Sequence, residues 1–587
     1  MKKIFALALA VLMLLGLAAC GGNGGEGDSS APISSEGGAG ESSTPVGDPA
    51  SSDDPADSDT SANPDSTDSA SSDSAGTSTT TAGRSRTTAT TSGKGTATAV
   101  TAVPISLSTA NEKPITYDTS VLYNEMHSES DPQAEAMKKA VLNAQNTVKP
   151  STSGTTYYVS YKGDDKNNGK SAATAWRTTQ RVREAIGQFK TGDVVLFERG
   201  GVYRGTMQVV SGMKVGAYGS GVKPQLYAGP CNVADTKYWE KTKYTNVWKL
   251  SVKGMSDVGN IVFDHGKVCA STTRMFKENL ITDKAKKPQD FYYYHNLEKG
   301  YIYLYYSKGN PGAAFDSIEL CPKDSIITRK DNSNSVIAED IVIDNLCLKY
   351  SGSFGVVFSA AKNITVTNCE VGYIGGSMID STGRYGNGIE FNSHINGALI
   401  KNNWIYQCYD AGYTNQGHGA RHENITVDAN LIEYCPYNIE VYCDKNNPRG
   451  TGYVRNTVYE NNILRFAGYG FGTLNRFGSD TTSIAHISGV AGRMDAAGFV
   501  IRNNVMDTSY HSMVKFAYSD GVKGPKFSGN TYIQWNDTNS CLAQMRDADN
   551  PEHDTKNMIR PSTGQATLEA SVKKLESSSK YVKFYAK

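Results

Sequence analysis

The 587-residue sequence has no excess of either charge: 59 Lys and Arg face 59 Asp and Glu. No basic block interrupts its later part, and that excludes the electrostatic footprint of a nucleic-acid binder. Long apolar runs are missing after the first twenty residues, so no later segment is expected to cross a bilayer as a helix. Zinc-type pairs of cysteines two residues apart are missing too, which excludes a zinc knuckle or ribbon. From Gly21 to about Val103 there is almost no large apolar residue. Such a stretch cannot bury enough surface to offset its ordering entropy and is expected to stay disordered.

What is present begins with an address. Lys2 and Lys3 precede an apolar run from Ile4 to Leu15, and Leu17-Ala18-Ala19-Cys20 forms a processing site ending in cysteine. That ending resembles a bacterial lipoprotein signal, with Cys20 as the lipidated first residue of the mature chain. Residues 1–20 are therefore expected to be a signal peptide and 21–110 a Ser/Thr/Asp/Gly-rich linker with a reach of roughly 50 Å. Nine cysteines follow Cys20. Cys408 and Cys435 fall at matching points of a repeat described below and are expected to stack as buried thiols.

Residues 111–154 form a lead segment, in which Ala134, Met137, Ala140 and Val141 at helical spacing predict an exposed helix over 132–148. Over 155–230 the folded body opens at Thr155 to Ser160, and a short helix from Val182 to Phe189 leads into the run Lys190 to Phe197. Asp164, Asp165 and Asn167 are turn formers there, with Ca²⁺ ligation as the less favoured alternative. From 231 to 322 the pattern changes. Phe291-Tyr292-Tyr293-Tyr294 and Gly300 to Tyr306 alternate aromatics between Gly, Asn and Pro, the signature of hairpins in a β-rich insertion. A tail over 541–587 carries Leu568, Val572 and Leu575 at helical spacing.

Residues 323–540 repeat. Ile343, Val366, Ile400, Val427, Tyr459 and Ile501 each open a four-residue member, and the last four members end in Asn403, Asn430, Asn462 and Asn504. Stacked Asn side chains at a bend satisfy the backbone of the coils above and below. A second column follows eleven or twelve residues later, at Gly355, Gly412, Asn438, Gly470 and Met513, with Gly388 delayed by a loop over 376–386. Further surplus residues at 444–453 and 474–497 are expected to project as loops. The fold class expected is all-β, a parallel β-helix with an N-terminal cap and a β-rich insertion.

Strand alternation puts Ile389 and Ile439 into the core and Glu390 and Glu440 outward. The outward column then reads Val357, Glu390, Thr414, Glu440, Gly472 and Lys515, with Asp410 at a bend between the two glutamates. Carboxylates gathered this way suit paired acid/base catalysis, and Asp410, Glu440 and Glu390 are the candidate catalytic residues. Thr414, Gln416, Arg384, Tyr385, His418, Tyr442 and Lys515 are the candidate substrate-binding residues. His418, Arg421 and His422 are placed on one loop, and Trp404 and Tyr406 in the core or at a sheet edge.

Gly388-Ile389-Glu390, Tyr409-Asp410-Ala411-Gly412-Tyr413-Thr414-Asn415-Gln416-Gly417 and Asn438-Ile439-Glu440 resemble the motifs of β-helix carbohydrate-active proteins. The opening of the folded part resembles the cap of right-handed parallel β-helices of the pectate-lyase-like superfamily. The family most resembled is glycoside hydrolase family 141, over about Thr155 to Tyr532. That resemblance implies a plant or host polysaccharide as substrate and hydrolysis by the carboxylates just named. Two alternatives stay open: a Ca²⁺-dependent polysaccharide lyase with Lys515 or Arg384 as base, and a non-catalytic glycan-binding adhesin. No cofactor is expected for hydrolysis, Ca²⁺ being the metal of the lyase alternative. The expected setting is extracellular, a monomer held to the membrane of a Gram-positive bacterium through Cys20, with no nucleic-acid partner.

Overall fold

A computed structural model describes residues 103, 105–110, 112–115, 122–270, 288–331, 335–379, 383–443, 452–475, 484–489, 496–518, 524–536, 541–547, 558–559 and 564–586. They belong to one unit, Gly95–Lys587; the signal, Cys20 and nearly all of the linker lie outside the described residues, as does most of the expected loop at 444–453.

Three long sheets carry the chain, one of twelve strands and two of ten, with neighbours parallel almost throughout. One coil shows the winding. Ile395–Lys401 lies in the first sheet, Trp404–Cys408 in the second and Ala411–Gly417 in the third, before Arg421–Asp428 returns to the first. Each pairs with its counterpart one coil on, as in Ile400 with Val427, Ile405 with Ile432 and Tyr413 with Ile439. With the right-handed crossover that twisted strands favour, this is a right-handed parallel β-helix. Its interior is a continuous apolar column that includes Val366, Ile400, Val427, Tyr459 and Ile501, all buried. Burying one such side chain contributes about 1.5–3 kcal/mol.

The corner between the first two sheets explains the Asn pattern. Asn345, Asn368, Asn402, Ala429, Asn461 and Asn503 turn it with φ between 52° and 64°, a region Asn tolerates better than most side chains. The next residue stacks inside. Asn430 Oδ1 accepts from Asn403 N and Nδ2, both at 3.0 Å, and Asn462 Oδ1 accepts from Asn430 N and Nδ2, both at 2.9 Å. Asn504 and Asn530 continue the ladder. It ends on Glu576, just past the C-terminal helix Gly564–Leu575, whose carboxylate accepts from Asn530 N at 3.0 Å and Nδ2 at 2.6 Å.

The ends and sides differ in part from expectation. At the N-terminal end, the helix Thr179–Glu184 buries Val182 in the core, capped by Thr178 accepting from Arg181 N. Asp165 accepts from Arg177 N at 2.7 Å and from Thr178 Oγ1 at 2.8 Å, and Asp164 from Lys166 N at 3.0 Å, so both carboxylates shape turns. The lead helix is Asp131–Leu142, and one face of it is buried, not exposed as expected. Ala134, Lys138 and Val141 are buried against the outer face of the second sheet. Lys138 Nζ lies 4.9 Å from the centre of the Trp404 ring, and Arg465 bridges Asp131 at 2.7 Å and Glu433 at 3.0 Å. Helical spacing shows an apolar stripe but not which surface meets it.

The insertion holds a four-stranded and a three-stranded antiparallel sheet, and Tyr293–Asn296 and Tyr301–Tyr305 form the expected hairpin. All nine cysteines after Cys20 are free and buried, and Cys408 and Cys435 are neighbours. Among the described residues no helix is long and apolar enough to cross a membrane.

Candidate active site

The third sheet positions the candidate carboxylates. Pairing runs from Val357 to Glu390, Thr414, Glu440, Ser488 and Lys515 on successive strands. Ser488 stands where Gly472 was expected. Gly472 lies instead in a short helix, Phe471–Asn475, so the surplus residues of that coil come before its strand, Ala485–Gly489, as well as after it. For the same reason His486, not Gly470, follows Asn438 in the second column. A glycine at a bend looks alike in sequence whether a strand or a helical turn follows it.

Glu390 and Glu440 lie two strands apart on one side of the sheet, about 9–10 Å between backbones. Asp410 sits at the bend before Ala411–Gly417, half-buried, its N–H bonded to Gly386 O at 3.1 Å. Glu440 is half-buried, with Thr414 Oγ1 3.5 Å from its Oε2. Glu390 departs from expectation. It points away from the apolar interior, yet it is only 2 % exposed. Alternation sets the direction of a side chain and not what roofs it.

The roof is local. The chain expected to loop out before Glu390 forms a small hairpin, Ser377–Met378 against Arg384–Tyr385. Gly386 closes its base at φ 132°, where an added Cβ would lie 2.2 Å from Gly375 Cα. From the insertion, Asp257 accepts from Met378 N at 2.7 Å and lies 3.5 Å from Arg384 Nη1 and 3.6 Å from His295 Nδ1. Burial alone would raise the Asp257 carboxyl; the His295 contact, the Arg384 charge and the Met378 N–H outweigh it and hold it low.

Polar groups meet Glu390 directly. Asn387 Nδ2 donates to its Oε2 at 2.6 Å, Asn392 Nδ2 reaches Oε1 at 3.4 Å, and Gln416 also donates to it. Burial pushes the carboxyl up to about 7 and the Asp410 charge adds to the rise, while the three amides pull the other way. The column thus holds one carboxyl that keeps its proton near neutrality beside others less buried.

Of the candidate binding residues, Thr414 and Gln416 flank the carboxylates. Tyr385 joins the roof, its hydroxyl 3.1 Å from Ser353 Oγ and raised by burial first and by the Glu390 charge among other causes. Arg384 is turned to the base of its own hairpin, bonded to Gly376 O and facing Asp257. His418 is exposed at the rim, 2.9 Å from Tyr442 OH. Lys515 follows Glu440 by two strands and is 1 % exposed. His422 is not on a loop. It lies in the strand Arg421–Asp428, faces the interior, and is pushed down to about 3 by burial. Trp404 and Tyr406 are buried under the lead helix and bonded to Glu433 and Glu370.

Asn387, Asn392 and Ser488 escaped the sequence. None repeats along the coil, and the one cue, Asn387 between two glycines, marks a turn as readily as a site. Among the described residues no group of three or more His, Cys, Asp or Glu side chains is gathered to hold a metal. A cavity of about 690 Å³ bordered by Glu112, Cys231, Tyr238, His265 and Asp316 shares no residue with this column.

No family model matches the chain, and no curated protein does. Solved structures resembling it include a complex of XylC with xylose, at 10% identity over 67% of this chain and 71% of that one, TM-score 0.39. The GH136 lacto-N-biosidase of Eubacterium ramulus is 13% identical over 74% of this chain and 67% of that one, TM-score 0.31. Pectate lyase Pel9A is 11% identical over 69% and 82%, TM-score 0.31. At such scores nothing about this chain's chemistry follows from them, and its reaction rests on its own residues.

Proposed function

We propose that the protein is a glycoside hydrolase that cleaves a plant or host polysaccharide with Glu390 as general acid and Asp410 or Glu440 as its carboxylate partner. The observation that carries this is the burial of Glu390 among amides, beside acids that remain less buried. Two carboxyl groups whose surroundings push their proton affinities apart form an acid/base pair. Inverting hydrolysis needs the two groups about 6.5–9.5 Å apart, and side chains leaning from backbones two strands apart suit that window. The motif resemblance to glycoside hydrolase family 141 supports the same reading, as does Cys20, which would hold the enzyme outside the cell where polymeric glycans are met.

The test is a screen on xylans, pectins and fucosylated glycans that follows reducing ends and ultraviolet absorbance together. Hydrolysis gives reducing ends without absorbance, and Glu390→Gln, Asp410→Asn or Glu440→Gln is expected to cost about 10²–10⁴-fold in rate when the residue is one of the pair. Ultraviolet-absorbing products lost in chelator would establish a lyase instead. Glycan binding with no product, unchanged in the three variants, would establish an adhesin.

A further inference from the structure

Asn387 does more than help roof Glu390. It lies on the short link between the hairpin and the Glu390 strand and is nearly buried. Its Oδ1 accepts from Ala411 N at 2.6 Å, and its Nδ2 donates to Glu390 Oε2 at 2.6 Å. The backbone N–H at Ala411 can only donate, so it fixes which end of the amide is oxygen and therefore aims the NH₂ at Glu390. The main chain on either side is tied as well: Asp410 N bonds Gly386 O at 3.1 Å, and Gly388 N bonds Ala411 O at 2.9 Å. One side chain thus spans the bend carrying Asp410 and the carboxyl of Glu390, which are twenty residues apart in sequence.

The geometry points to Asn387 as the positioning residue of this site: it reserves Glu390 Oε2 as an acceptor, leaves Oε1 to carry the transferable proton, and holds the Asp410 bend in register with it. This deepens the hydrolase reading and rests on it for its catalytic meaning. An oxygen that accepts a short bond from an amide does not donate along that line, which favours the acidic proton on the other oxygen. There the Asn392 contact, at 3.4 Å, is long, while Gln416 is the third amide that donates to the carboxyl. The titratable groups facing Glu390 are Asp410 at the bend, Tyr385 on the hairpin and Glu440 two strands on.

Asn387→Asp separates the two jobs. An aspartate keeps an oxygen for Ala411 N, so the bend stays anchored, but replaces the donor to Glu390 with a second acceptor and a charge. Asn387→Leu removes both contacts without adding charge, and serves if the aspartate variant does not fold. The full chain is titrated by infrared difference spectroscopy, with Glu390→Gln as the reference that isolates the Glu390 carboxyl band. The expected result is an upward move of the Glu390 midpoint by about one pH unit or more, a tenfold gain in proton affinity, in either variant. On a glycan found by the screen, the limb of the kcat profile that falls with rising pH moves with it, while KM changes little. A Glu390 midpoint unmoved in both variants overturns the assignment whether or not any glycan is cleaved. A midpoint that moves in a protein that cleaves nothing keeps the pairing of Asn387 with Glu390 and removes the hydrolase reading.

Discussion

Replacing Glu390 by Gln is expected to change how the stability of the whole protein depends on pH. Burial pushes the Glu390 carboxyl up from an ordinary 4.5 to about 7. Between those values the native state holds a proton that the unfolded chain has released, so stability is greatest below pH 4.5 and falls as pH rises toward 7. A gap of about 2.5 units is worth roughly 3 kcal/mol at about 1.36 kcal/mol per unit, with no discount for solvent because the group is buried. Gln is uncharged at every pH and lacks this slope. For a folded part of roughly 480 residues, an unfolding entropy of about 2.1 cal/mol/K per residue converts that difference to about 3 °C. Thermal unfolding of both proteins at pH 4.5 and pH 8.5 supplies the comparison. The melting temperature of Glu390→Gln relative to the unsubstituted protein is expected to rise by about 3 °C between the two, other titrating groups cancelling in the difference. A change below about 1 °C would refute the claim that the fold keeps this carboxyl protonated.

Two further substitutions probe the scaffold. Asn430→Ala removes the middle of the ladder and orphans Asn403 N and Ile400 O in the interior; at about 1–3 kcal/mol for each unpaired buried group, denaturant unfolding is expected to show a loss of roughly 3–5 kcal/mol. Gly259→Ala would place a Cβ 2.4 Å from Ser377 N, with no side chain in the way to yield, so the insertion must shift from the hairpin. Faster hydrogen exchange at the Met378 amide, now bonded to Asp257, is expected together with about tenfold slower turnover.

The coil was legible because Asn403, Asn430, Asn462 and Asn504 do one job at one height of a repeating corner, and a repeated job leaves a repeated letter. The register of Glu390, Thr414 and Glu440 followed from it. What stayed hidden is set by pieces that do not repeat. Glu390 is enclosed by Asn387, Asn392 and Gln416, and the hairpin just before it is braced by Asp257, more than a hundred residues earlier. Ser488 and His486 were missed because the extra residues of their coil fold into a helical turn before the strand. The lead helix showed its apolar stripe, but its partner surface includes Trp404, Glu433 and Arg465, far along the chain.

The last rung of the ladder is a carboxylate rather than another amide. Glu576 takes both N–H groups of Asn530 and the Tyr532 hydroxyl at 3.0 Å, and offers no matching donor in return. A stack of amides can template its own extension, as open edges of sheets do when copies of a protein add end to end into fibres. Closing the series with an acceptor halts that propagation at its terminal layer, which suits a molecule whose stacked strands would otherwise be ready-made seeds for filaments.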